Sequence, residues 1–138
     1  MPVTFRILPS QYLIYLRYHG ILAAEDNIRV LGEIVAHPDF RKGMRALVDL
    51  TGIDGWDPDY LAVMRFGARE AEVHDDPARP TVVVCLAPND ETRRIAQIVN
   101  RTWEGSGRKV AVTVDTEPEA LAVLGIGLPS IAAMLQSA

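Results

Sequence analysis

Few residues in this chain have the type and placement that chemistry needs. Cys85 is the single cysteine, and neighbouring strand ends offer His19 as a base and Asp49 as an orienting acid, a conceivable Cys-His-Asp set. A catalytic thiolate needs an exposed, electropositive setting, whereas Cys85 stands inside the apolar run Thr81 to Ala87. A buried, inert thiol is therefore expected, and a lone cysteine excludes an intrachain disulfide. His19, His37 and His74 fall at separate element ends with no i,i+4 or Cys-x-x-Cys partner, so no metal site is expected. Neither G-x-G-x-x-G nor G-x-x-x-x-G-K-[ST] occurs, which leaves a nucleotide cofactor without support. These residues point to a protein that is not an enzyme and carries no cofactor.

The remaining candidate is the stretch Gly52-Ile53-Asp54-Gly55-Trp56-Asp57, predicted to be a loop between a strand's carboxyl end and a helix's amino end. Ligands often enter open α/β sheets at such a place. Asp54, Asp57 and Asp59 line the helix start, where carboxylates satisfy free amide protons and repel phosphate. A capped turn fits them better than an anion site. Trp56, flanked by Gly55 and Asp57, is either a lid over the sheet edge or a contact residue.

The elements that must hold these residues follow from hydrophobic period and from stop signals. Val3 to Leu8 and Tyr12 to Tyr18 read as two strands joined by a tight turn at Pro9, Ser10 and Gln11, with Gly20 closing the second. From Ala24, the three- and four-residue spacing of Ile28, Leu31, Ile34 and Val35 predicts an amphipathic helix that His37-Pro38 stops. Ala46 to Leu50 is a strand, and Asp57-Pro58 opens a helix to about Val73. Val82 to Leu86 is apolar without a break, as a strand covered on both faces would be, and is the expected centre of the sheet. Asn89 or Asp90 caps a helix ending near Trp103, Val110 to Val114 is a strand, and Thr116-Glu117-Pro118-Glu119 has capping-box spacing before a short helix. The order β-β-α-β-α-β-α-β-α implies parallel crossovers with the first strand antiparallel at an edge.

The fold class expected is therefore α/β, a single domain with a mixed, mostly parallel five-stranded sheet and about four helices, spanning residues 1–125. Residues 126–138 form an apolar tail in which a short helix after Pro129, with Ser130 as a cap, must cover either its own sheet or a second subunit, making a homodimer through the tail one outcome. With 138 residues, 49% of them hydrophobic, one self-sufficient core is affordable. The net charge of −4 has the wrong sign for nucleic acid. No run of residues is apolar enough to span a bilayer, and the start lacks a signal-peptide pattern, so a cytoplasmic protein is expected. Twelve of the fourteen basic residues are arginine, with local groups at Arg41, Lys42 and Arg45 and at Arg93, Arg94, Arg101, Arg108 and Lys109. Either group could meet an acidic partner; interleaved acids favour ordinary solvated faces.

Val48-Asp49-Leu50-Thr51-Gly52-Ile53, followed by an acid and a helix, together with the order of elements over residues 3 to 125, resembles the STAS superfamily, which includes anti-sigma factor antagonists of the SpoIIAA type. The resemblance implies a small regulatory domain that docks onto a protein partner and is often switched by phosphorylation of a serine near the second helix. The family pattern is roughly Asp-Leu-Ser-Gly-Val, three residues, then Asp-Ser-Ser-Gly-Leu. Asp49 to Ile53 match its first half, and Asp57 and Leu61 match the ends of its second. Pro58 and Asp59 stand at the two serine positions and Tyr60 at the glycine, so the phosphoacceptor is missing. The implied partner surface comprises Thr51, Gly52, Asp54, Trp56, Asp57, Asp59 and Tyr60. The competing expectation is an apolar pocket for a small molecule or lipid built from Met64, Phe66, Trp103 and Met134.

Overall fold

In a computed structural model, residues 3–56, 81–103 and 109–137 are described, and for Leu22, Ala24, Ile28, Trp56, Ile98, Val99, Arg101, Thr102, Trp103 and Lys109 the backbone alone. The elements are β1 (Val3–Leu8), a 3-10 turn (Pro9–Gln11), β2 (Leu13–Leu22), α1 (Ala24–Ala36), β3 (Arg45–Trp56), β4 (Thr81–Leu86), α2 (Asp90–Trp103), β5 (Lys109–Val114), α3 (Glu117–Val123) and α4 (Ile131–Gln136). The helix expected from Asp57 to Val73 lies outside the described residues. The sheet has five strands in the order β1-β2-β3-β4-β5. β1 is antiparallel to β2, and β2 to β5 are mutually parallel. This is the mixed, mostly parallel α/β sheet that the crossover lengths demanded.

The centre of the sheet is β3, not β4. An unbroken apolar run reports only that both faces of a strand are covered, and β4, next to the edge strand, meets that condition as well as a central strand would. β3 hid its position because its buried run contains Asp49.

Alternation divides the side chains between two cores. One face carries Val3, Ile7, Ile14, Leu16, Val48, Val83 and Cys85 under Val30 and Ile34 of α1 and Ile95 and Ala96 of α2. The other carries Leu8, Leu13, Tyr15, Leu47, Val84 and Leu86 under Ala120, Leu121 and Leu124 from α3 and its end and Ile131 and Met134 of α4. The apolar tail thus buries Ile126, Ile131 and Met134 against the chain's own sheet, each removing on the order of 2 kcal/mol of apolar surface from water. A second subunit is not needed to cover them.

Local caps hold the helices where the sequence placed them. Asn89 Oδ1 accepts the Thr92 amide proton at 2.9 Å, while the Asn89 amide donates to Thr92 Oγ1 at 3.1 Å. Thr116 Oγ1 accepts the amide of Glu119, and Ser130 Oγ that of Ala133. At the lower end of the sheet, Tyr12 adopts φ 51°, and its hydroxyl donates to the Lys42 carbonyl at 2.5 Å. Arg45 then donates to the carbonyls of Gln11 at 2.6 Å and Leu124 at 2.5 Å, tying the first turn and the end of α3 to the start of β3.

Candidate functional site

β2 and β3 both run further than their sequence signals suggested. β2 continues through Gly20, at φ 71°, to Leu22, and β3 continues past Leu50 to Trp56, so the predicted loop at Gly52 to Trp56 is strand. The register shows how. Arg17 pairs with Asp49 and His19 with Gly52, then Gly20 with Ile53 and Ile21 with Gly55, so β3 gains one residue at each of two bulges. β4 accompanies β3 only from Ala46 to Asp49; beyond that point β2 alone among the described strands pairs with it. A bulge bends its strand and re-aims side chains, which is why period-2 reading lost the strand at Leu50.

Asp49 shapes the first bulge. It is 6% exposed, and its Oδ1 accepts both the Thr51 amide at 3.0 Å and the Thr51 hydroxyl at 2.7 Å, while Tyr15 Oη donates to Oδ2 at 2.5 Å. An amide that the extra residue displaces from the ladder thus finds a carboxylate, and the buried charge is held by three neutral donors. Burial first, then the hydrogen bond to Asp49 and the charge of Asp49, hold the Tyr15 phenol well above its ordinary range. Gly52 follows by necessity: a Cβ there would lie 3.0 Å from His19 Cβ and 3.1 Å from the Tyr18 carbonyl oxygen.

The bulges turn a buried strand into an exposed one. Asp49 and Leu50 are buried, Thr51 and Asp54 are exposed, Gly52 and Gly55 are half-buried, and Ile53 turns back into the core. Thr51 and Asp54 therefore belong to a surface. Gly52 supports it by close backbone approach. Trp56 ends the strand, and Asp57, Asp59 and Tyr60 lie outside the described residues.

The Cys-His-Asp set does not assemble. Cys85 points into the core beneath α1 and α2, whereas Asp49 shares the opposite face with Tyr15 and binds Tyr15 and Thr51. The pleat alone separates them, since Val48, not Asp49, shares a face with Cys85. Burial pushes the Cys85 thiol up to about 12. His19 lies across from Gly52, and its Nδ1 is buried without a hydrogen-bond partner among the described residues. Among the described residues no three His, Cys, Asp or Glu side chains are grouped as metal ligands. Also among them, no helix is long and apolar enough to cross a membrane.

Of the apolar-pocket residues, Met64 and Phe66 lie outside the described residues. Met134 is 1% exposed in the core under α4, and α2, which carries Trp103, packs on the other face. The side chain of Trp103 is outside what the structure describes. Of the two arginine groups, Arg41 donates to the carbonyls of Pro38 and Phe40, Arg45 is turned inward, and Arg93 pairs with Asp90 and Asp115, while Arg108 lies outside the described residues.

Position at a carboxyl end of the sheet is also weaker evidence for a ligand crevice than in a doubly wound sheet. Strands β2 to β5 lie side by side in chain order, with α1 and α2 on one face, so the strand order never reverses to open a crevice.

The fold has solved counterparts. An uncharacterised protein of the DUF3478 family with a SpoIIAA-like fold, from Shewanella loihica PV-4, superposes with a TM-score of 0.60 at 13% identity, over 88% of this chain and 91% of that one. The anti-sigma factor antagonist SpoIIAA in its unphosphorylated form gives 0.52 at 16% identity, over 91% and 99%. The phosphorylated form of the Bacillus cell fate determinant SpoIIAA gives 0.51 at 14%, over 88% and 98%. No protein-family model and no curated protein matches the sequence. The fold is SpoIIAA-like.

Proposed function

We propose that this protein is a non-catalytic, cytoplasmic regulatory module that docks onto a protein partner through the distal half of β3 and the residues that follow it. The observation that carries this reading is the bulge at Asp49. One carboxylate, held by Tyr15 and Thr51, bends a core strand outward so that Thr51 and Asp54 reach solvent. The docking surface is Thr51, Gly52, Asp54, Trp56, Asp57, Asp59 and Tyr60. Support comes from the shared fold with SpoIIAA, an anti-sigma factor antagonist, and from the match of Asp49 to Ile53 to the family pattern.

The phosphorylated form of SpoIIAA has no direct counterpart here, because Pro58 and Asp59 replace the two serines of the pattern. Thr51 is the hydroxyl left in the motif, and it donates to Asp49, a role in folding rather than in switching. Partner recognition is thus constitutive at this surface. Quantitative capture with the wild-type chain, cross-linked in lysate of its own cells, is expected to retain one specific partner. Trp56→Ala combined with Asp59→Ala should reduce its recovery at least several-fold with an unchanged melting temperature; equal recovery would remove this surface.

A further inference from the structure

The two edges of the sheet are built differently. On β1, Thr4 and Arg6 are exposed on one face, and on the other Phe5 packs on the core and meets the His37 ring edge-on at 6.1 Å. A charge within a short edge strand deters pairing with another chain. β5 carries its one charge at its first residue, Lys109, and none in the stretch that follows. Val110 to Val114 contains no charge and no proline, Val110 is 47% exposed, and Ala111 and Thr113 are exposed too. Among the described strands, β5 pairs with β4 alone, so its outer backbone groups face no ladder partner. On the face that Val110 shares with Val112, α3 presents Val123, 46% exposed.

We propose that β5 is a self-association edge, at which two copies of this chain pair antiparallel about a two-fold axis at Val112 and join their sheets into one. The occupant is fixed by the sequence Lys109-Val110-Ala111-Val112-Thr113-Val114-Asp115 read against its own reverse. In that register, Val110 meets Val114, Ala111 meets Thr113, Val112 meets itself, and each Lys109 position lies across from Asp115 of the other copy. The two charges flanking the neutral stretch Val110 to Val114 thus become complementary at both ends, and a slip by two residues loses both pairings. Asp115 can serve here while holding Arg93: that bond uses Oδ1, and the Asp115 side chain stays 57% exposed. An isologous pairing of this kind closes after two copies and leaves β1, with Arg6, as the outer edge of the assembly.

Sedimentation equilibrium of the full chain over a concentration series into the millimolar range tests this. Wild type should reach twice the chain mass, and Val110→Lys, an exposed position, should stay monomeric with an unchanged circular dichroism spectrum. Lys109→Glu places like charges at both ends and should raise the dimer Kd about tenfold, and adding Asp115→Lys should return it most of the way. A wild type that is monomeric throughout, as when the edge serves a strand of another protein, overturns the proposal. So does a dimer that Val110→Lys and Lys109→Glu leave unchanged, or a charge swap that fails to rescue.

Discussion

Arg45 and Asp49 sit four residues apart on the same strand, and both hold a charge with neutral partners, yet they do opposite things. Arg45 gathers carbonyls from Gln11 and Leu124, 34 and 79 positions away, and closes the lower end of the sheet. Asp49 gathers a phenol from the neighbouring strand and the hydroxyl and amide of Thr51, two residues on, and opens the upper end. A buried or half-buried charge held in this way needs all its donors or acceptors in place, because a charge left unmatched costs more than a matched one contributes. The lower end is therefore a lock across the chain. The upper end is a locally built bend, whose product is the surface of Thr51 and Asp54.

If that contrast is right, Asp49→Ala has the largest effect. It strands the Tyr15 hydroxyl and the Thr51 amide and should cost about 3 kcal/mol by urea unfolding, with hydrogen exchange rising around residues 50–56. A loss under about 1 kcal/mol would mean that the bulge stands without its carboxylate. Arg45→Met comes next, at about 2 kcal/mol, since the carbonyls it leaves are only part-buried. Its exchange increase should appear far apart in sequence, near residues 9–13 and 124–126, and an increase confined to β3 would break the contrast.

The smallest effect is confined to alkaline pH. Tyr15 has its phenol raised above the ordinary 10.0 and Cys85 its thiol raised from 9.0 to about 12, each mainly by burial. As pH rises past 9 and then 10, the unfolded chain releases these protons while the folded chain keeps them, so stability must fall. Cys85→Ala should flatten the decline that starts near pH 9 and Tyr15→Phe the part that starts near 10, with neither altering its slope near neutrality. A denaturation series read against pH checks both, and identical slopes in wild type and variants would refute them.

Much of the fold was legible in the residues, because its signals are local. The 3.6-residue period of α1, the Asn89, Thr116 and Ser130 caps and the apolar run of β4 each depend on neighbours within a turn or a strand. The motif Asp49 to Ile53 was legible too, but its architecture was not. Gly52 looked like a loop glycine, and it proves to be a strand residue kept small by His19 and Tyr18 of the next strand. Cys85, His19 and Asp49 looked like neighbours only while the faces of their strands were unknown.

The sequence by itself determined the order of the described helices and strands and their caps, though not the length of β2 and β3, and that Pro58 and Asp59 stand where the resembled pattern has serine. The tertiary structure decided that β3 is central, that the tail covers the chain's own sheet, that Asp49 and Cys85 face opposite cores, and that β3 bends outward where Asp49 captures Thr51. The physical reason is range: periodicity and capping are satisfied within a few residues, whereas pairing order, pleat and the partners of a buried charge are set by groups that only folding brings together.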